Sequence, residues 1–376
     1  MTVSTKLTLS VSLAALLIGG VWSSKPAFAT TDKDGAAAPA ATINLPVLPQ
    51  ILPATTVPGN GDLNPYGVAF VPPTFPQANT VLRSGDILVA NFNNSNNMQA
   101  TGTSIVRIAQ DGTTSLFFQG TAPLGLTTAL AILKKGFIIV GNVPTTDGTC
   151  GTLGQGSLLV LDAGGNLVAT ITDPTLLDSP WDMAVDDEGH TATAYVSNVV
   201  SGTVTRIDLA VNKTGVKVLS RTSIAAGFNH SCSAATFVIG PTGLAFDSNA
   251  NVLYVASTGD NAIFAIDNAS TTAGGGMGRQ IYSDNVHLHG PLGMTMAPNG
   301  HLLVSNGDAV NPDPNQPSEI VEFTTSGQFV SQLSVDPNFG GAFGLAVKGV
   351  GNGFFRFAAV DDNTSSLRMW TLQSQQ

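Results

Sequence analysis

Along most of this chain, short runs of apolar, β-branched and aromatic residues alternate with polar ones and break off at Gly, Asn, Asp or Pro. That is the pattern of β-strands, with a period of two, and not of helices. One phrase of this kind recurs six times: NPYGVAF from Asn64, APLGLTT from Ala122, SPWDMAV from Ser179, GPTGLAF from Gly240, GPLGMTM from Gly290 and GAFGLAV from Gly341. The copies start 50 to 61 residues apart. Self-similarity at such a period means one supersecondary unit copied round a ring or along a stack.

Each phrase is followed by the same signals in the same order. A second apolar run ends in a small or Asn/Asp residue, at Asn91, Asn142, Asn198, Ser257, Asn306 and Asp361. A third alternating run starts at Ser104, Ser157, Thr203, Ala262, Glu319 and Ser366, and a fourth closes five of the six units. Four antiparallel strands per unit predict a propeller blade, hence an all-β, six-bladed β-propeller. The sixth unit lacks its fourth run, while residues 43–52 (INLPVLPQIL) have no first three. The ring is therefore expected to close by pairing this N-terminal strand into the last blade, which leaves no open seam. Pro46 and Pro49 suit an outermost strand, where one set of N–H groups faces solvent. Small residues at one position of each first strand (Ala69, Thr127, Ala184, Ala245, Thr295 and Ala346) fit strands that converge on an axis.

The repeat phrase, with its P-x-G core, and the runs LYVAS and AIFAI that follow it in one unit, resemble the NHL-repeat family of six-bladed propellers. Wider relatives of that family are the gluconolactonase-like calcium enzymes, the streptogramin lyases and the amidating lyases. The resemblance covers nearly the whole chain after residue 42 and implies the fold. A propeller hosts enzymes and binding modules alike, so function must be argued from a site.

Residues 1–29 read as a secretory signal, with Lys6, an apolar stretch and Ala27-Phe28-Ala29 as a cleavage site. Residues 30–42 read as a flexible lead-in and residues 43–376 as the propeller. No stretch reads as a membrane span, so the protein is expected to be exported, to the periplasm or beyond the cell, and to act as a monomer. Formal charge is −10; loss of Lys6 and Lys25 with the signal leaves 13 basic against 25 acidic residues, or −12. Such an acidic balance disfavours nucleic acid or an anionic membrane as partner.

Long loops fall on one face: residues 92–103, 143–156 and 307–318 between second and third runs, and 221–239 leading into the fourth unit. Long loops on a rigid scaffold concentrate binding residues. Cys150 and Cys232, the two cysteines, both lie in them and are expected to pair in an oxidising compartment. His230, His287 and His289 map to the same face, and H-x-H in an extended segment sets both rings on one side, as transition-metal sites require. By resemblance, amidating lyases bind zinc through histidines near the channel mouth, which makes these three the candidate metal ligands.

The gluconolactonase resemblance would imply calcium held by Glu, Asn and Asp at the inner-strand mouths, and calcium asks for six or more oxygens. Here those positions carry Tyr66, Leu124, Trp181, Thr242, Leu292 and Phe343. They form an apolar and aromatic channel mouth, read either as a ligand surface or as a plug of the axis. Asp182 replaces the repeat glycine in the third unit and is the one candidate acid or base there; a turn or capping role is its alternative. No cofactor is expected, with zinc or calcium as the open alternatives. The leading expectation is a binding module for a neutral glycan or peptide, or for a protein partner. The alternative is a metal-dependent lyase or hydrolase with a His-based site.

Overall fold

In the computed structural model, which describes residues 52–78, 80–351 and 354–373, six four-stranded antiparallel sheets form the blades of a β-propeller. Blade 1 runs from Leu63–Phe70 through Ile87–Asn93 and Ser104–Ile108 to Thr114–Gln119. Blades 2, 3, 4 and 5 begin with Leu126–Ile132, Pro180–Asp187, Pro241–Asp247 and Pro291–Met296. Blade 6 takes Ala342–Gly351, Phe354–Asp361 and Ser366–Gln373 from the C-terminal end and Leu52–Thr55 from the N-terminal side. Leu52 pairs with Met369 and Thr55 with Ser366, so the ring closes as the repeat count requires. The described closing strand lies later than residues 43–52, of which only Leu52 falls within it. Pro46, Pro49, the expected signal and the lead-in lie outside the described residues. Pro53 sits within the closing strand, tolerated because this strand has a neighbour on one side only.

The core lies between blades. Ala129, Ile139 and Val160 of blade 2, for example, pack with Met183, Ala194 and Ile207 of blade 3. Second and third strands are covered on both faces, which is why Ile87–Asn93 is buried throughout and its apolar run is nearly unbroken. Fourth strands lie at the outer edge instead and leave Leu167 and Val168 exposed.

The repeat glycine has a specific physical task. In every blade the first strand bulges, with pairing that skips from Pro65 to Val68 in blade 1 and from Pro291 to Met294 in blade 5. The bulges turn backbone toward the axis, where each meets the next blade. A Cβ on Gly67 would lie 2.9 Å from the Thr127 carbonyl oxygen, one on Gly293 2.4 Å from that of Phe343, and one on Gly344 1.8 Å from that of Tyr66. Only a residue without a side chain allows this approach.

Blade 2 departs from the expected register. Leu126, not Pro123, stands opposite Asn142, and the bulge falls after it, before Leu130. Thr127 is therefore a buried bulge residue whose hydroxyl donates to the Pro180 carbonyl at 2.9 Å. Thr128 and Leu130 line the axis in its place, beside Ala69, Ala184, Ala245, Thr295 and Ala346. The Asn/Asp series tethers neighbouring chain: Asn142 accepts from Gly125 N–H, Asn306 accepts from His289 N–H, and Asn91 donates to the Thr56 carbonyl. Blade 4, with Ser257 in the series, uses Asn261, which accepts from Gly290 N–H.

Candidate functional site

On the long-loop face the ring encloses a cavity of about 830 Å³. Its floor is made by bulge residues, Tyr66, Trp181, Leu292 and Phe343, four of the six positions expected at the channel mouth. Leu124 is displaced with the blade 2 register and packs, half-buried, against the interblade core around Phe118. Thr242 is 1% exposed, and its hydroxyl bonds the Ala256 and Pro291 carbonyls at 3.2 and 3.0 Å.

The floor is a stack of aromatic rings. Tyr66 lies between Phe92 and Phe343, with centroids 4.4 and 4.5 Å away, and Trp181 meets Tyr66 and Phe92 edge-on at 5.7 and 5.3 Å. Phe237, in the left-handed region at φ 60°, adds an edge contact to Phe92 at 5.8 Å. A second cavity, of about 460 Å³, lies toward the opposite face and shares no lining residue with the first. These rings thus separate two compartments and at the same time form the floor of the larger one.

Walls of the loop-face cavity come from several segments. Residues 221–239, expected as loop, begin inside the long strand Gly215–Ala226 and continue as a small hairpin of Ser231–Ser233 with Phe237–Ile239. A disulfide joins Cys232 of this hairpin to Cys150, with Cα atoms 5.8 Å apart, and ties the blade 2 loop to the segment entering blade 4. The blade 5 loop adds Asp308, and the turn after Asp361 in blade 6 adds Asp362 and Asn363.

Asp308 is 9% exposed; its Oδ2 accepts the Ser318 and Gly340 N–H groups, both at 2.9 Å, and burial raises its carboxyl above the usual range. Asp362 is partly buried, and burial together with the charge of Asp361 pushes it up to about 7. The Tyr66 hydroxyl is held protonated, first by burial and then by the charge of Asp362. Four lining residues each hold a buried polar atom without a partner in the structure: Asn64 Oδ1, Gln99 Oε1, Trp181 Nε1 and Asp308 Oδ1. Among the described residues no Lys, Arg or His lines the cavity.

Asn64, Gln99, Phe92, Phe237, Asp308 and Asp362 were not among the expected site residues. A signal existed for two: Asp308 stands two residues after the recurring Asn306 of blade 5 and Asp362 next to Asp361 of blade 6, and no other blade has an acid within two residues of that position.

The three histidines do not converge. His230 is exposed and its Nδ1 lies 2.9 Å from the Phe228 carbonyl. His287 and His289 are not in an extended strand, because Asp284 Oδ1 accepts the N–H groups of Val286, His287 and Leu288 and winds the segment into a turn. The His287 ring bonds Asp284 at 2.7 Å and stacks on Phe329 at 3.9 Å. The His289 ring, 1% exposed, bonds the Asn311 carbonyl and lies 3.8 Å from Glu319. Among the described residues no three His, Cys, Asp or Glu side chains are grouped to hold a metal ion. The calcium implied by the gluconolactonase resemblance does not fit the inner-strand mouths either, where rings and Leu292 stand in place of hard oxygen donors. Asp182 belongs to the opposite cavity. No helix among the described residues is long and apolar enough to cross a membrane.

No family profile matches the chain. No curated protein matches it in sequence either. Solved structures do match in shape. A gluconolactonase from Xanthomonas campestris superposes with a TM-score of 0.50 at 14% identity, over 88% of this chain and 99% of that one. A calcium-binding regucalcin from Agrobacterium tumefaciens gives 0.51 at 13%, over 87% and 96%, and a glucose dehydrogenase 0.51 at 12%, over 88% and 100%. At such identities the likeness speaks for architecture, and it agrees with the strand order: the chain is a six-bladed β-propeller built like those of the gluconolactonase and regucalcin structures.

Proposed function

We propose that the loop-face cavity binds a small uncharged polar molecule of sugar size and hydrolyses it, with a lactone or related cyclic ester as substrate class. One observation carries this reading: an aromatic floor and two carboxyls with raised proton affinity, Asp308 and Asp362, line the same 830 Å³ cavity. Ring faces receive the C–H faces of a sugar, and the polar side chains that line the cavity, Asn64, Gln99, Asp308 and Asn363 among them, receive its hydroxyls. A carboxyl near 7 is matched to proton transfer at neutral pH. Asp362 takes a proton from water as the water oxygen attacks the ester carbonyl; the ring C–O bond then breaks, and the proton passes to the leaving alcohol oxygen. Tyr66, kept protonated, donates to the carbonyl oxygen. The product carries a new carboxylate, which the two acids repel, so release is favoured. Likeness in fold to a gluconolactonase supports this direction. The resemblance to NHL repeats remains our reading of the repeat phrase.

The Cys150–Cys232 bridge supports an oxidising compartment, in keeping with the export read from residues 1–29. Incubation of the purified protein with δ-gluconolactone under a pH-stat tests the reading. Turnover that Asp362→Asn removes supports it; saturable binding of the sugar without turnover supports a binding module. Neither turnover nor binding overturns both.

A further inference from the structure

The cavity on the opposite face has a different chemistry. Its wall is the ring of small residues at the axis together with Met183, Leu244, Met294 and Met296, and its deep polar group is Asp182. That side chain is 8% exposed. Its Oδ1 accepts the Met183 N–H at 2.8 Å and its Oδ2 the Leu244 N–H of the next blade at 2.9 Å, so each oxygen keeps an unused lone pair. Among the described residues no Lys, Arg or His pairs with it. Lys348, which also lines this cavity, is occupied in donating to the Val71 carbonyl at 2.6 Å and lies 3.5 Å from Ser84 Oγ. A buried carboxylate without a cation is costly, and proteins rarely retain one without cause.

Closing the ring is not a sufficient cause. Gly67, Gly243, Gly293 and Gly344 stand at the same bulge position in blades 1, 4, 5 and 6, and those blades meet their neighbours without a carboxylate. The aspartate is thus an addition to a junction that elsewhere works with glycine. Methionine is a flexible and polarizable lining that adapts to varied apolar shapes, and 460 Å³ falls within the range of small-molecule pockets, about 300–1,000 Å³.

We propose that the cavity opposite the long loops is a second binding site, for a small molecule with a protonated amine on an apolar body, the amine held by Asp182 and the body by the methionine-lined wall. The supplied cation offsets the cost of the buried carboxylate, and the apolar body contributes its own burial. This site does not depend on the hydrolytic reading of the loop face, with which it shares no residue.

The test uses hexylamine as probe, with hexanol and hexanoate of equal chain length, followed by calorimetric titration at pH 8. Hexylamine is expected to bind saturably and at least about tenfold more tightly than hexanol, a ratio equivalent to about 1.4 kcal/mol, while hexanoate does not bind. Asp182→Gly, which restores the repeat residue, is expected to reduce hexylamine to the level of hexanol. Ala245→Leu, which fills the cavity and leaves the carboxylate, is expected to abolish binding of both. Asp362→Asn, in the other cavity, is expected to leave amine binding unchanged. Equal binding of amine and alcohol by the native protein, or amine binding that survives both Asp182→Gly and Ala245→Leu, overturns the proposal.

Discussion

The two ends of the channel are built by adjacent residues of one bulge, and they differ in kind. Trp181 faces the loop side, where inserted loops, a disulfide and a hairpin raise walls around an aromatic floor. Asp182, the next residue, faces the other side, where the first strands, with Pro72 and Pro73, form a wall of methionines, small residues and the threonines Thr128 and Thr295. The loop face surrounds its rings with polar side chains, and the opposite face sets one carboxylate, Asp182, beside methionines and small residues. Successive strand residues point to opposite sides, so a propeller bulge can equip both ends of its axis independently.

The largest effect expected from breaking this contrast is at the loop face. Asp362→Asn should lower lactone hydrolysis by about 10²–10⁴, the usual range for loss of a general base, with little change in thermal stability. A comparable loss in the Asp182→Gly protein would instead move the reaction to the other end.

Stability against pH is the next largest effect and has a source at each end of the channel, since burial pushes both Asp362 and Asp182 up to about 7. Burial pushes Asp182 up to about 7 from an ordinary 3.8. Because the folded state binds this proton more tightly than the unfolded chain, the contribution is complete below the unfolded value and is lost as pH rises through about 7. Three units correspond to at most about 4 kcal/mol. Melting temperature should therefore fall between pH 5 and pH 8.5, and Asp182→Gly should reduce that slope while Asp362 keeps its own share. A melting curve that rises over this interval sinks the assignment.

Removing the Cys150–Cys232 bridge, which spans 82 residues of sequence, should cost about 2–4 kcal/mol. Since both cysteines line the loop-face cavity, the Cys150→Ser, Cys232→Ser double variant should also weaken sugar binding there while amine binding at Asp182 is kept. Parallel loss at both ends, read by calorimetry, would show that the ends are coupled. The smallest effect is expected at His230, exposed on the rim: His230→Ala should change stability by less than about 0.5 kcal/mol and leave both binding reactions as they are, as measured by melting and titration. A loss of turnover there would return the histidines to the centre of the site.

Much of the architecture was legible because a blade is a local pattern repeated. The alternating runs, their Gly and Asn stops and the orphan fourth strand required six blades and a ring closed by the N-terminal side. The pairing of Cys150 with Cys232 was legible too, since both fell in loops of one face. Blade 2 was misread in register because Leu124-Gly125 copies the repeat phrase while the bulge forms at Thr127–Ala129; pairing with Asn142 outweighs the local likeness. His287 and His289 were misread as extended neighbours because a single carboxylate, Asp284, captures three N–H groups and turns the chain.

The sequence by itself determined blade number, strand order, the closing of the ring and which face carries the loops, all of which follow from periodicity and from signals within some sixty residues. The tertiary structure alone decided that Tyr66, Phe92 and Phe343 stack, that Asp308 and Asp362 share a cavity with them, and that Asp182 looks the other way. Those facts depend on how blades far apart in the chain meet at the axis, and no local pattern of residues encodes a distance across a ring.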